Sequence, residues 1–378
     1  MSVQEATTGF STTYGYEPAG VWSAPGRANL IGEHTDYNNG FVFPFGIDRR
    51  TYVALSPRSD NLIRLSSTIS DQVVEFELGK KQPKDLDWAL YPLGVAWVMR
   101  DSAKGGFDAY FTSDVPVGAG LSSSAAIECA VATALNDVWE AGKSAQELAL
   151  IGQRAENDVV GAPTGMMDQT ASMLAKKDAA VLLDCQSMAT ELVPLGLQER
   201  GLVVAVMDTR VAHRHSDGGY RSRREACEAG AAAMGVDSLR GLTEEDLPAA
   251  QEALDEVTFR RCKHVITENR RVLDAVDALK RGDMATLGQL LLQSHASMRD
   301  DFEISVVELD TAVELAMEVG AVGARMTGGG FGGAAIAIID QSKMELLSEH
   351  CKAIFAKKGF AEPNVFAVAA SDGARRDA

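Results

Sequence analysis

The segment GRANLIGEHTDYNNG (26–40) gathers Arg27, Glu33, His34 and Asp36 between a Pro-Gly and an Asn-Asn-Gly. Ionised carboxylates only accept hydrogen bonds, a guanidinium only donates them, and an imidazole does either. Such a run reads as a solvated loop or as a polar pocket for a ligand covered in hydroxyls or phosphates. A second segment, PVGAGLSSSAAIECA (116–130), passes from glycines through three serines into a helical composition. A Gly-rich turn that feeds a helix N-terminus offers outward N–H groups and a favourable dipole to an anion. No lysine follows these glycines, so it is not a Walker A loop. The competing reading is a serine N-cap on an ordinary helix.

Two further segments carry possible chemistry. In GARMTGGGFGG (323–333), Gly328, Gly330 and Gly333 satisfy G-x-G-x-x-G. A dinucleotide site needs a strand before that pattern and a helix after it. Here a helical pattern (308–319) precedes and the strand-like AAIAIID follows, so the glycines are read as allowing close backbone approach to a loop or ligand. In RAENDVVGAPTGMMDQTASM (154–173), Gly161, Pro163 and Gly165 break one helix and another starts near Met166. Asp168 then falls in a first helical turn, where the dipole favours negative charge. Read alone, it is an ordinary helix-start acid.

The elements that must hold these groups are partly legible. FVFPFGID (41–48) and RTYVALSP (50–57) read as two strands, and NLIRLSS with QVVEFEL as a hairpin. WALYPLGVAWVMRD (88–101) is helical, and FDAYFTSD (107–114) alternates as a half-buried strand. The helix that begins after residue 124 is expected to end at Gly142 in the left-handed C′ position. RRVLDAVDALKRG ends in basic residues and Gly282, a helix stop, and Asp283 is the expected N-cap of the next helix. AAIAIID (334–340) and NVFAVAA (364–370) read as strands. Longer, more regular helices after about residue 195 place a domain boundary there, giving units 1–195 and 196–378.

Bulk properties narrow the function. The chain has 378 residues and a net charge of −17, which argues against nucleic acid or an anionic membrane as partner. An anionic small molecule would need a local basic or backbone-amide site and a metal. The five cysteines are widely spaced with no C-x-x-C pair, so neither a disulfide framework nor a structural zinc is expected. The N-terminus has neither a basic start nor an apolar core, and no apolar run approaches the roughly 20 residues of a membrane span. A cytoplasmic globular protein is expected. His213 and His215 form an H-x-H pair with no third ligand in view, read as a solvated loop near Tyr220.

Taken in order, PGRANLIGEHTDYNNGFVFPFGID, PVGAGLSSSAAIE, GMMDQ and GARMTGGGFGG resemble the galactokinases of the GHMP family of small-molecule kinases. SHASMRDDFEIS, ELD and the tail AASDGARR agree with that resemblance, which covers nearly the whole chain. It implies an α+β, two-lobed fold: a mixed sheet with helices in the N-terminal lobe, an antiparallel sheet with helices in the C-terminal lobe, and a cleft between. It also implies phosphoryl transfer from MgATP to O1 of galactose by a monomer. Carried over by position, Gly118, Ala119, Gly120, Leu121, Ser122, Ser123 and Ser124 would form the phosphate loop. Ser124 and Glu156 would bind Mg²⁺, and Arg27 and Asp168 would flank the reacting hydroxyl. Glu33, His34, Thr35, Asp36, Gly165 and Tyr220 would hold the sugar, with Ser67 near the nucleotide.

Four positions depart from the family's usual pattern. They are Ala126, Thr164, Gly219 before Tyr220 where an acid is usual, and Val307. None removes a charged group from the implied chemistry. Two alternatives remain open on the sequence. A non-catalytic galactose and ATP sensor is disfavoured by the intact SSSAAIE and by the presence of all four implied reacting and metal-binding residues. An N-acetylgalactosamine kinase would need room that the compact GAPTG does not obviously provide.

Overall fold

The computed structural model describes residues 2–79, 81–211 and 216–378. The His213–His215 pair therefore lies outside the described residues. Helix α1 (Val3–Tyr14) precedes strand β1 (Gly20–Asn29). Next come β2 (Phe41–Val42), β3 (Pro44–Pro57), β4 (Leu62–Ser67), β5 (Ser70–Glu77), α2 (Leu90–Val98) and β6 (Phe107–Ser113). Helices α3 (Ser123–Val138), α4 (Ala145–Ala155) and α5 (Met167–Leu174) follow, then β7 (Ala179–Asp184), β8 (Ala189–Pro194) and β9 (Leu202–Asp208). The remainder comprises α6 (Ser216–Ala233), α7 (Leu247–Ala253), α8 (Glu256–Lys280), α9 (Met284–Asp300), α10 (Val307–Glu318), β10 (Gly323–Thr327), β11 (Ala334–Asp340), α11 (Met344–Lys358), β12 (Asn364–Val368) and β13 (Arg375–Arg376).

Three sheets organise the described residues. The first runs β13-β1-β3-β6-β4-β5 and is mixed, because β4 and β6 are parallel. The second, β10-β11-β9-β12, is antiparallel throughout. A small third sheet joins β2, β7 and β8. Every residue of β1 is buried, since β3 and β13 flank it and α3 packs against it. One apolar core unites Phe43, Phe45, Leu121 and Ala126 with Val272 and Leu291 of α8 and α9 and Ile336 of β11. That shared core brings α8 and the Gly-rich hairpin up to the chain's first loop.

Local signals explain most boundaries. Ser144 and Glu147 form a capping box on α4, and Asp283 caps α9 by accepting from the Thr286 N–H. The hairpin β4–β5 forms as its alternation predicts. Lys280 closes α8, and Gly282 takes a left-handed φ of 71°.

Several expectations need correction. The two strands read at 41–48 and 50–57 are instead the short β2 followed by one 14-residue strand, β3. Arg50, at the expected start of the second strand, is buried mid-strand. Its guanidinium donates to Ser23 and to the carbonyls of Asp372 and Gly373. Helix α3 ends at Val138, before Gly142, because Glu140 takes the left-handed conformation at φ 51°. Strand β6 is almost wholly buried rather than half-buried. Helix α1, which the sequence reading passed over, covers its outer face. A strand, β10, also precedes the Gly-rich loop, which therefore sits in a β-hairpin and not at a helix start.

Candidate active site

Arg27 sits where β1 shifts register against β3, between Pro25 and Arg27. That bulge turns its guanidinium toward α5, where the Asp168 carboxylate accepts from Nε at 2.8 Å and from Nη2 at 2.9 Å. This two-point pairing fixes both planes. The third guanidinium nitrogen donates to the Gly120 carbonyl. Burial disfavours the Arg27 charge, yet Asp168, Glu33 and Asp36 together hold its pKa above the ordinary value. Asp168 lies in the first turn of α5, as its sequence position predicted.

The serine segment departs from an ordinary serine N-cap. Ser122 occupies the N-cap position of α3 with a left-handed φ of 55°, but no side chain caps the helix. The Ser122 hydroxyl donates to Asp168 instead. The opening amides of α3 thus keep their favourable dipole for an anion. Gly120 and Gly328 meet backbone to backbone: a Cβ on Gly328 would lie 3.0 Å from the Gly120 carbonyl. The phosphate-loop candidate and the Gly-rich hairpin therefore touch directly.

On the other side stands the loop 32–40. Glu33 is buried and accepts from the Gly328 N–H at 2.6 Å, from the Thr327 hydroxyl at 3.1 Å and from the Asn29 amide. Burial pushes its carboxyl up to about 7, against the pull of Arg325 and Arg27. His34 adopts a left-handed φ of 61°. Its Nε2–H donates to the Gly329 carbonyl at 3.1 Å, which leaves Nδ1 to accept from the Tyr37 hydroxyl at 2.8 Å. Burial first, then the neighbouring His264, lowers its pKa to about 3, so the ring is neutral. Asp36 accepts from the Tyr37 and Met167 N–H groups, and burial together with the Asp168 charge raises it to about 6. Tyr220, on α6, packs its ring against that of His34, with centroids 5.0 Å apart and planes tilted by 40°.

These groups line one cavity of about 420 Å³. It brings together Arg27, Glu33, His34, Asp36, Gly118, Gly120, Leu121, Ser122, Ser123, Ser124, Glu156, Gly165, Asp168 and Tyr220, with Gly328 and Gly329 of the hairpin. Three expected residues do not line it. The Thr35 hydroxyl is spent on the carbonyls of Gly32 and Phe41, at 3.0 and 2.6 Å. Ala119 is buried in the core. Ser67 is buried on β4, where its hydroxyl accepts from the Ile69 N–H at 3.2 Å.

Glu156 begins a π-helical turn at the end of α4 and is hydrogen-bonded by Thr164, Gln169 and Ser124. Burial and the Asp168 charge raise its carboxyl. Among the described residues no group of three or more His, Cys, Asp or Glu side chains could hold a metal ion. The Ser124 hydroxyl beside the Glu156 carboxylate instead supplies two hard oxygens. That suits a cation such as Mg²⁺, which keeps its other ligands from water and phosphate.

Several residues at this site escaped the sequence reading. Three of them sit on α8. The Glu268 carboxylate accepts from the Gly32 N–H at 3.0 Å, His264 Nε2 donates to the Glu33 carbonyl at 3.1 Å, and the Asn269 Oδ1 accepts from the Phe41 N–H at 2.9 Å. Positions 264, 268 and 269 share a helix face with buried Val265 and Val272. Polar residues interrupting an apolar stripe were the signal that could have found them. Arg325 is fully buried beneath Glu33 and Glu268, with its guanidinium 3.7 and 3.9 Å from their carboxylates. The departure at Gly219 also has an account. The Phe331 ring occupies its side-chain space, so that a Cβ there would lie 2.6 Å from the ring.

Comparison with known proteins accords with this geometry. The galactokinase galactose-binding signature matches residues 8–57, the GHMP kinases N terminal domain 91–176, and the GHMP kinases C terminal domain 275–357. A galactokinase of Streptomyces coelicolor is 47% identical over 373 residues, covering 97% of this chain and 96% of the relative. The chain belongs to the galactokinase family. A galactokinase of Actinobacillus pleuropneumoniae is 44% identical over 91% of both chains. The crystal structure of Lactococcus lactis galactokinase complexed with galactose superposes with a TM-score of 0.93 at 31% identity, covering 98% of each chain. Mevalonate kinase of Methanococcus jannaschii shares the fold alone, with a TM-score of 0.68 at 16% identity. The mixed and antiparallel sheets are those of a galactokinase-family GHMP kinase, the fold class that the motifs implied.

Proposed function

We propose that this galactokinase-family chain transfers the γ-phosphate of ATP to O1 of galactose, yielding galactose 1-phosphate and ADP. The observation that carries the reading is the two-point Arg27–Asp168 pair on the floor of a cavity walled by the phosphate loop and the 32–40 loop. Phosphoryl transfer asks mainly for positioning and charge stabilisation. Residues 118–124 receive the phosphates at the α3 N-terminus. Mg²⁺, held by Ser124 and Glu156 when bound, supplies positive charge to those phosphates.

Arg27 faces both the transferring phosphoryl and the nucleophile, and its planar, permanent charge limits the negative charge that develops. Asp168 orients O1 and takes its proton late, as a loose transition state permits. Asp36, Tyr220 and the backbone at Gly165 meet the sugar hydroxyls, while Glu33 and His34 shape the same wall. Thr35 fixes the loop that carries them, and Ser67 is assigned to the nucleotide side. The protein is read as a cytoplasmic monomer whose two lobes divide near residue 195. No described helix is long and apolar enough to cross a membrane.

An ADP-release assay with MgATP and a panel of galactose, glucose and N-acetylgalactosamine tests the assignment. Turnover with galactose well above the others is expected, and no signal above the sugar-free control overturns it. In the same assay Asp168→Asn should lower kcat by about 10²-fold or more. Turnover near the parent value would remove Asp168 from both its roles.

A further inference from the structure

Beneath the cation site lies a polar pair that the phosphoryl-transfer reading leaves unused. Helix α3 carries Ser124 and, one turn later, Glu128. Helix α5 carries Asp168 and, next to it, Gln169. Glu128 and Gln169 are both fully buried. The Gln169 Nε2 donates to Glu128 Oε2 at 2.8 Å and to Glu156 Oε2 at 2.7 Å. One amide thus spans two buried carboxyl groups, Glu128 and Glu156. Burying such a group costs several kcal/mol unless its partners are well placed. Thr164 also donates to Glu156 Oε2, at 3.0 Å. Both bonds therefore fall on one oxygen, and Glu156 Oε1 is engaged by neither. Each of the two helices contributes one group to the cleft and one group to this buried layer.

We propose that Glu128 and Gln169 are positioning residues for the Mg²⁺ ligand Glu156. Glu128 holds the Gln169 amide in orientation, and Gln169 with Thr164 in turn fixes one Glu156 oxygen, so that the carboxylate is held beside Ser124, where the cation would bind. Residues that orient a metal ligand commonly change metal affinity by about 10–100-fold when removed. The inference rests on the assignment of Glu156 and Ser124 as Mg²⁺ ligands, and the test separates the two.

Mn²⁺ serves as the probe, with its affinity for the full-length protein in complex with ADP read from water-proton relaxation. Glu156→Gln examines the ligand assignment, and the double variant Glu128→Met, Gln169→Met examines the positioning. The double variant should weaken Mn²⁺ by about ten-fold or more and raise the Mg²⁺ needed for half-maximal turnover, with the galactose KM within about two-fold of the parent. Glu128→Gln keeps an acceptor for the amide and should restore near-parent Mn²⁺ affinity. If Glu156→Gln binds Mn²⁺ normally, the ligand assignment fails. If Glu156→Gln weakens Mn²⁺ but the double variant does not, the positioning role alone is overturned. Should the double variant not fold, Gln169→Asn, one methylene short, replaces it: lost Mn²⁺ affinity supports the pair, and parent affinity rejects it.

Discussion

Gly165 and Asp36 are in contact so close that no side chain fits between them. A Cβ on Gly165 would lie 1.9 Å from the Asp36 carboxylate. Gly165→Ala must therefore displace the group proposed to read the sugar hydroxyls. It should lower kcat/KM for galactose by at least about ten-fold, leaving the MgATP KM near the parent value, because a site built for hydroxyls penalises misplaced acceptors. Equal losses for both substrates in steady-state kinetics would contradict this. The same wall predicts a pH dependence. Glu33 and Asp36 are raised to about 7 and about 6, chiefly by burial. Above those values both are ionised acceptors, and below them each gains a proton. A profile of kcat/KM for galactose should therefore fall as pH drops from about 8 through 6; a flat profile down to pH 5 would exclude it.

At the scale of elements, α8 is the unexpected contributor. It belongs to the later half of the chain yet bonds the backbone of Gly32, Glu33 and Phe41. Asn269→Ala leaves the Phe41 N–H without its acceptor, a loss of about 1–3 kcal/mol in stability. Because Phe41 closes the 32–40 loop, galactose affinity measured calorimetrically should drop with it, while ADP affinity holds. Denaturant unfolding gives the first quantity and the titrations the second. Unchanged galactose binding would reduce α8 to a packing element.

Stability belongs to the whole molecule, and the buried histidines set part of its pH dependence. Burial lowers His264 to about 4, with Glu268 opposing and Arg271 assisting. Its folded pKa lies below the unfolded value, so the contribution is complete above about 6.5 and is lost as pH falls toward 4. His264→Gln cannot take up that proton. The stability advantage of the parent over this variant should shrink between pH 7 and 4, by up to about 3 kcal/mol. Glu33 and Asp36, raised rather than lowered, act with the opposite sign, since their contribution is lost as pH rises through about 6 to 7. Chemical denaturation of both proteins across that range checks the sign; a constant difference would refute it.

Features that depend on neighbours within a turn or two were legible in the residues. The Asp283 cap, the β4–β5 hairpin, the break at Gly161–Gly165 and the place of Asp168 in a first turn all follow from local backbone preference and hydrogen bonding. Local reading failed where tertiary partners satisfied groups that looked out of place. Arg50 is accommodated inside β3 by carbonyls more than 320 positions away, and Ser122 gives its hydroxyl to Asp168 instead of capping α3. The motifs implied that Arg27 and Asp168 would meet, but the contact spans 141 positions, and only the packing of α5 against β1 closes that distance. The grip of α8 on the 32–40 loop left no local trace beyond polar residues on an apolar face. Such partnerships are decided by which surfaces the shared core brings together, and no short-range preference encodes them.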